Sequence, residues 1–182
     1  MYRFVSLFVE NYVAGSTVAR RLNMSIVPTT FKRQIVFVRD PVKRFWSAVK
    51  KQHPIVDMEN GIAKALHELG NLALAPESRF FSVIHFAPQV TNLEGKTIGH
   101  VVPLDLAFMD NLKTALSNYP VRWIENFNLE VAVKDARNAT DSSRDAEAVA
   151  YIHSELAIIG RLKELYADDF AWWNDSCSKI TT

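Results

Sequence analysis

Two short clusters in this chain set glycine, hydroxyl and guanidinium groups at spacings that suit a phosphate. The first is Gly15-Ser16-Thr17, with Arg20 one helical turn further on. A glycine lets the backbone approach an anion closely. A helix beginning at Ser16 would offer unpaired N–H groups and the positive end of its dipole to the same anion. Ser16 and Thr17 add hydroxyl donors. The tripeptide also reads as a plain turn with a helix cap. It is not a Walker A loop, which needs a second glycine and a lysine just ahead of the Ser/Thr. The second cluster is Arg39, Asp40, Pro41 and Ser47. A guanidinium can fork onto a phosphate, and Ser47 lies about two helical turns along, with Lys43 and Lys50 nearby. Its plainer reading is a surface turn leading into a solvated basic helix face. For proton transfer near neutral pH the candidate base is His85. Glu10 and His53 stand behind it, while His67, His100 and His153 read as structural or solvated.

These residues need elements to hold them. Phe4 to Val9 is apolar, rich in Val and Phe, and reads as a buried first strand. Ser16 to Met24 reads as a short helix and Gln34 to Val38 as a second buried strand. Asp40-Pro41 is a helix start, with Asp as cap and Pro at the first helical position. Val42, Phe45, Trp46 and Val49 then fall at i, i+3, i+4, i+7 and predict a core-facing stripe. Lys43, Arg44, Ser47, Lys50 and Lys51 are expected on the other side. Beyond lie a helix over Met58 to Leu69 ending at Gly70, a helical turn over Pro76 to Val83, and a strand over Thr97 to Val102. A helix over Leu104 to Leu116, a last strand over Val121 to Ile124 and a polar surface connection from Asn126 to Ser143 follow. One long helix, Ala146 to Phe170, closes the chain, with Val149, Ile152, Leu156, Ile159 and Leu162 on one stripe. Alternating strands and helices predict an α/β fold with a parallel sheet covered on both faces. Ligands in such sheets sit at the carboxyl ends of the strands, which is where both clusters fall.

Composition narrows the classes. The 182 residues fit one domain, 1–182, with 48% apolar and 23% charged residues. A formal net charge of +1 argues against nucleic acid as a partner. Cys177 is the single cysteine, which excludes an internal disulfide and a thiolate-rich zinc site. No run of apolar residues is long enough to span a membrane, and Met1 to Val9 does not form a signal-peptide core. A cytoplasmic protein with no membrane partner is expected. N-x-S/T triplets begin at Asn23, Asn138 and Asn174 and read as chance without a secretion signal.

Val38-Arg39-Asp40-Pro41-Val42-Lys43-Arg44-Phe45-Trp46-Ser47-Ala48 resembles the 3′-phosphate-binding motif, R-D-P-x-x-R-x-x-S, of sulfotransferases that use 3′-phosphoadenosine 5′-phosphosulfate (PAPS). Upstream, Tyr12-Val13-Ala14-Gly15-Ser16-Thr17 resembles the same family's P-K-x-G-[ST/C]-T loop, with Tyr12 in place of the proline and Val13 in place of the lysine. His85-Phe86-Ala87-Pro88-Gln89 resembles the H-W-x-P-Q segment of the carbohydrate sulfotransferases. Ile98-Gly99 with the helix containing Asp110 is similar to their I-G-x-x-E-x-L-x-x-D region, and Leu165 to Phe170 to their L-Y-x-x-D-[FY] helix. The matches run in family order over most of the chain.

The resemblance implies a P-loop NTPase-like three-layer fold with a central parallel β-sheet flanked by helices. It implies PAPS as sulfuryl donor, no metal, and a carbohydrate or small-molecule acceptor. Arg39 and Ser47 would hold the 3′-phosphate, and Gly15, Ser16 and Thr17 the 5′-phosphosulfate. His85 would be the base. Arg20 is the first choice to replace the missing loop lysine, ahead of Arg21, Lys43 and Lys96. Two other readings stand beside this one. The fold could bind 3′-phosphoadenosine nucleotide or another anion without catalysis, which Val13 favours. A small-metabolite kinase would need a loop lysine and a carboxylate placed for Mg²⁺, and the sequence offers no convincing pair.

Overall fold

The computed structural model describes residues 6–10, 15–52, 57–74, 86–93, 95–138 and 144–178. Tyr12, Val13, Ala14, His53, the segment Pro76 to Val83 and His85 lie outside the described residues, as do the first two residues of the expected first strand.

Three parallel strands lie side by side in chain order: β1 (Phe8–Val9), β2 (Gln34–Val38) and β3 (Ile98–Pro103). Phe8 pairs with Ile35 and Val9 with Val36; Val36 pairs with Val101 and Val38 with Pro103. β2 is central, and its five residues are all buried, as the continuous apolar run of a two-sided strand requires. Successive side chains leave opposite faces. Ile35 and Phe37 join one core with Val18, Ala19 and Leu22 of α1 (Ser16–Met24), and with residues of two later helices. Phe37 stacks on Phe8 at 5.5 Å and meets Phe108 edge-on at 5.3 Å. A second core joins the helix α2 (Pro41–Gln52) and the helix α3 (Met58–Leu74) to three C-terminal helices and Phe86.

Those later helices are α4 (Phe108–Leu116), α5 (Leu129–Asn138), α6 (Arg144–Ser154), α7 (Leu156–Leu165) and α8 (Ala167–Ser178). The chain is therefore α/β with a small parallel sheet; α1 and β2 begin and end where their sequence signals indicate, and α2 begins at Pro41 as its signal indicates. Among the described residues no helix is long and apolar enough to cross a membrane.

Several elements differ from the sequence expectation. α3 runs through Gly70 to Leu74. α4 begins four residues later than expected, after the turn at Leu104 to Ala107. Val121 to Ile124 adds no strand to the sheet; Trp123 makes an isolated antiparallel bridge with Ile26 instead. The polar stretch after Asn126 contains α5, because Ala132 and Val133 find burial and Asp135 pairs with Arg21 of α1 at 3.3 Å. The long C-terminal helix is three helices, broken at Glu155 and Tyr166. Leu156, expected on the core stripe, is 84% exposed because the break at Glu155 rotates it out of register.

Side-chain amides finish the sheet where strands stop. The Asn23 carboxamide accepts from the Phe8 N–H at 2.9 Å and donates to the Phe8 carbonyl at 2.8 Å, sealing the outer edge of β1. Its sequon is thus committed to the fold.

Gly15 carries the tightest local requirement. Its φ is 78°, and a Cβ there would sit 3.0 Å from Phe37 Cβ and 3.1 Å from Leu104 Cδ1. Gly15→Ala is therefore expected to lose about 1–2 kcal/mol from the left-handed backbone alone. Each kcal/mol lowers Tm by about 2–4 °C in a chain of this size. An unchanged Tm would show that α1 does not start against β2.

Candidate functional site

The site grows from the ends of adjacent strands. β1 and β2 are parallel, so the segments leaving their carboxyl ends emerge on one edge of the sheet. The first leads to Gly15 and α1; the second leads through Arg39 and Asp40 to α2. Because Gly15 packs on Phe37, two residues before Arg39, the two junctions are neighbours. α1 starts without a side-chain cap, and the first N–H groups of an α-helix have no partner within it. Ser16 is half-buried and Thr17 exposed beside them.

Arg20 sits one turn along α1. Its Nε and Nη2 both donate to Glu10 Oε2, at 3.2 and 3.0 Å. The side chains are 63% and 42% exposed, and exposed pairs of this kind contribute at most about 1 kcal/mol. The guanidinium is held at the mouth of β1 by a contact that an incoming anion can displace.

At the second junction, Asp40 Oδ1 accepts from the Lys43 N–H at 2.9 Å and caps α2. This fixes the helix relative to the strand end. Arg39 Nη1 donates to Ser47 Oγ at 2.7 Å. Ser47 is buried and Arg39 half-buried. A serine that accepts from an arginine keeps its own hydroxyl proton to donate. The pair thus presents guanidinium N–H and O–H donors from two elements, the donor set a tetrahedral oxyanion needs.

The side of α2 opposite the core stripe is only partly solvated: Lys43 and Lys51 are exposed, but Arg44 and Ser47 are not. Arg44 is 1% exposed and Ser47 8% exposed. The Arg44 guanidinium donates to the Ala87 carbonyl through Nη2 and lies over the Tyr166 ring, 5.9 Å from its centroid. Burial lowers its pKa from the ordinary value, opposed by Tyr166 and Asp169, yet an arginine remains a cation. Lys50 also turns inward: its Nζ lies 2.6 and 2.8 Å from the two Asp145 oxygens, and Trp46 Nε1 donates to the same carboxylate at 2.8 Å. Lys50 serves the packing of α2 on α6, not the phosphate cluster.

Three buried groups that sequence reasoning left without a role complete the arrangement. The Gln89 carboxamide accepts from the Arg39 N–H at 2.9 Å and donates to the Arg39 carbonyl at 2.8 Å. Asp169 of α8 accepts from the N–H groups of Gln89 and Val90 at 2.8 and 3.1 Å. Tyr166 donates to the Phe86 carbonyl at 2.7 Å. Burial raises the Asp169 carboxyl above the usual range, offset by the Gln89 and Val90 N–H groups and the Arg44 charge. Burial likewise pushes the Tyr166 phenol well up. The available signal was the pair of motifs containing Gln89 and Tyr166, which meet in space.

Of the other cations, Lys43 is exposed in the first turn of α2, at this junction, and the rest do not gather here. Arg21 is directed to Asp135 on α5. Lys96 precedes the amino end of β3, the opposite edge of the sheet from Gly15 and Arg39. His100 meets Tyr119 edge-on at 5.6 Å within β3. His67 and His153 are exposed. Among the described residues no cluster of His, Cys, Asp or Glu is placed to hold a metal. No family model, curated protein or solved structure matches the chain.

Removing the Asp169 carboxylate strands one buried and one half-buried N–H group and leaves Arg44 without its nearby negative charge. A buried orphaned donor costs about 1–3 kcal/mol and a half-buried one less, so Asp169→Ala is expected to lose roughly 2–4 kcal/mol in urea unfolding at pH 7. A loss below about 0.5 kcal/mol, the range of an inert surface change, would contradict the buried arrangement.

Proposed function

We propose that the protein is a PAPS-dependent sulfotransferase acting on a hydroxyl of a carbohydrate-like or small-molecule acceptor, on a P-loop NTPase-like scaffold. The observation that carries this reading is the Arg39–Ser47 pair at the carboxyl end of the central strand, within the R-D-P-x-x-R-x-x-S sequence. The convergence of the H-F-A-P-Q and L-Y-A-D-D-F segments behind that pair supports it further.

PAPS supplies the activated sulfuryl group. Arg39 and Ser47 bind its 3′-phosphate. The first-turn N–H groups of α1, with Ser16 and Thr17, hold the 5′ end against Gly15. Holding donor and acceptor in line supplies much of the catalysis for such a transfer. His85 accepts the acceptor hydroxyl proton as the oxygen bonds to sulfur. The sulfur–oxygen bond to the 5′-phosphate breaks, and its electron pair leaves on that phosphate. Arg20, drawn from Glu10, meets the charge that develops there, the task Val13 cannot perform.

A second reading, nucleotide binding without transfer, is favoured by Val13 together with the Glu10 contact that engages Arg20. Transfer and binding separate the two. In a chelator, the unaltered protein is expected to bind 3′,5′-phosphoadenosine in calorimetric titration. Arg39→Ala weakens this roughly tenfold to a hundredfold, as loss of a charged hydrogen bond implies. Unchanged affinity would refute the assignment of Arg39. Radiolabelled sulfuryl transfer should survive the chelator, whereas a kinase would stop without its metal. Val13→Lys is expected to raise transfer, up to about a hundredfold. No gain at unchanged Tm would mean that the loop works around a different cation.

A further inference from the structure

We infer that Gln89 is a positioning residue for the phosphate-binding arginine: its carboxamide pairs with the Arg39 main chain as a neighbouring strand would and thereby sets where the guanidinium points. The inference rests on the function proposed for Arg39.

The geometry follows from the ladder. In a parallel strand the N–H and C=O of one residue face the same neighbour, and successive residues alternate. The Ile35 N–H bonds to the Leu7 carbonyl on the β1 side, and the Val38 carbonyl accepts from the Leu104 N–H on the β3 side, both at 2.8 Å. Arg39, in step with Ile35, therefore turns its main-chain groups toward β1. Among the described residues the β1 pairing reaches only to Val9, opposite Val36, three residues short of Arg39. The Gln89 carboxamide takes up these groups, accepting from one Arg39 group and donating to the other. Gln89 is 0% exposed, so water does not compete for these bonds. Its own main chain is anchored by Asp169. A backbone pinned on both sides fixes the Cα–Cβ direction of Arg39, and the remaining freedom of the side chain ends in the Ser47 contact. Misplacing such a group by about 1 Å can cost on the order of a hundredfold.

The test compares Gln89→Met, which keeps the volume and loses both bonds, with the unaltered protein. Two nucleotides are titrated in chelator: 3′,5′-phosphoadenosine and adenosine 5′-monophosphate. The expected result is a loss of tenfold or more for the bisphosphate and less than threefold for the monophosphate, at a temperature where both proteins are folded. Equal losses would reduce Gln89 to a structural role, and no loss would overturn the inference while leaving the proposed function standing. If the unaltered protein binds neither nucleotide, the functional reading fails, and the positioning claim is read from the Arg39 Nη1–H signal, the one bonded to Ser47, in ¹⁵N NMR. That signal is expected to be slowly exchanging in the unaltered protein and lost in Gln89→Met; persistence overturns the claim. Should Gln89→Met not fold, hydrogen exchange of the unaltered protein decides. Protection of the Arg39 amide equal to that of Phe37 supports the inference, and rapid exchange overturns it.

Discussion

A buried main chain must find partners for every N–H and C=O it carries. Residues 86–90, with Phe86 and Gln89 buried and the others half-buried, lie outside the sheet, and their main chain is not satisfied by a strand. Side chains do so instead: Tyr166 for Phe86, Arg44 for Ala87, and Asp169 for Gln89 and Val90. Once satisfied, such a network becomes rigid, since any shift leaves a polar group stranded in a low-dielectric setting. Gln89 extends this rigidity from the helices to the end of the central strand. The placement of Arg39 thus depends on residues fifty or more positions away in sequence.

The arrangement divides labour between two edges of one ligand. Under the proposed function, the 3′-phosphate end is over-determined, with a pinned backbone, a capped helix and a buried serine around Arg39. The 5′ end is looser. Its glycine is fixed by contact with Phe37 and Leu104, but its only nearby arginine on α1 leans on Glu10 across a solvent-exposed surface. Affinity would then come mainly from the rigid end, and the rate from how readily Arg20 exchanges its partner. Under that function, the division accounts for the full match to the R-D-P-x-x-R-x-x-S pattern beside a valine at position 13.

What the sequence disclosed depended on whether local and tertiary preferences agreed. At α1, β2 and the start of α2 they did: an apolar run, a capping Asp, a Pro at the first turn and a 3.6-residue stripe all point one way, and those boundaries follow to the residue. On α2, however, periodicity sets Arg44 and Ser47 opposite the core stripe, a side that charge and hydroxyl normally mark as exposed. Only the tertiary fold brings Ala87 and Arg39 to meet them. The break at Tyr166 was hidden for the same reason. No glycine or proline marks it, and the stripe of Ile159 and Leu162 continues up to it, while the phenol is drawn to the Phe86 carbonyl. α5 shows the converse case, a polar segment made helical by burying Ala132 and Val133. The candidate phosphate residues were legible as a motif. The clamp behind them was legible only as two further motifs whose meeting point no spacing reveals.

The central claim is that Arg39 and Ser47 form a phosphate site at the end of β2, and a crystal structure with 3′,5′-phosphoadenosine tests it most directly. The account predicts the 3′-phosphate within hydrogen-bond distance of the Arg39 guanidinium and Ser47 Oγ, with the 5′-phosphate over the first turn of α1 and the Gln89 bonds to Arg39 intact. A nucleotide bound elsewhere, or one whose 3′-phosphate points to solvent while Arg39 keeps other company, would contradict it.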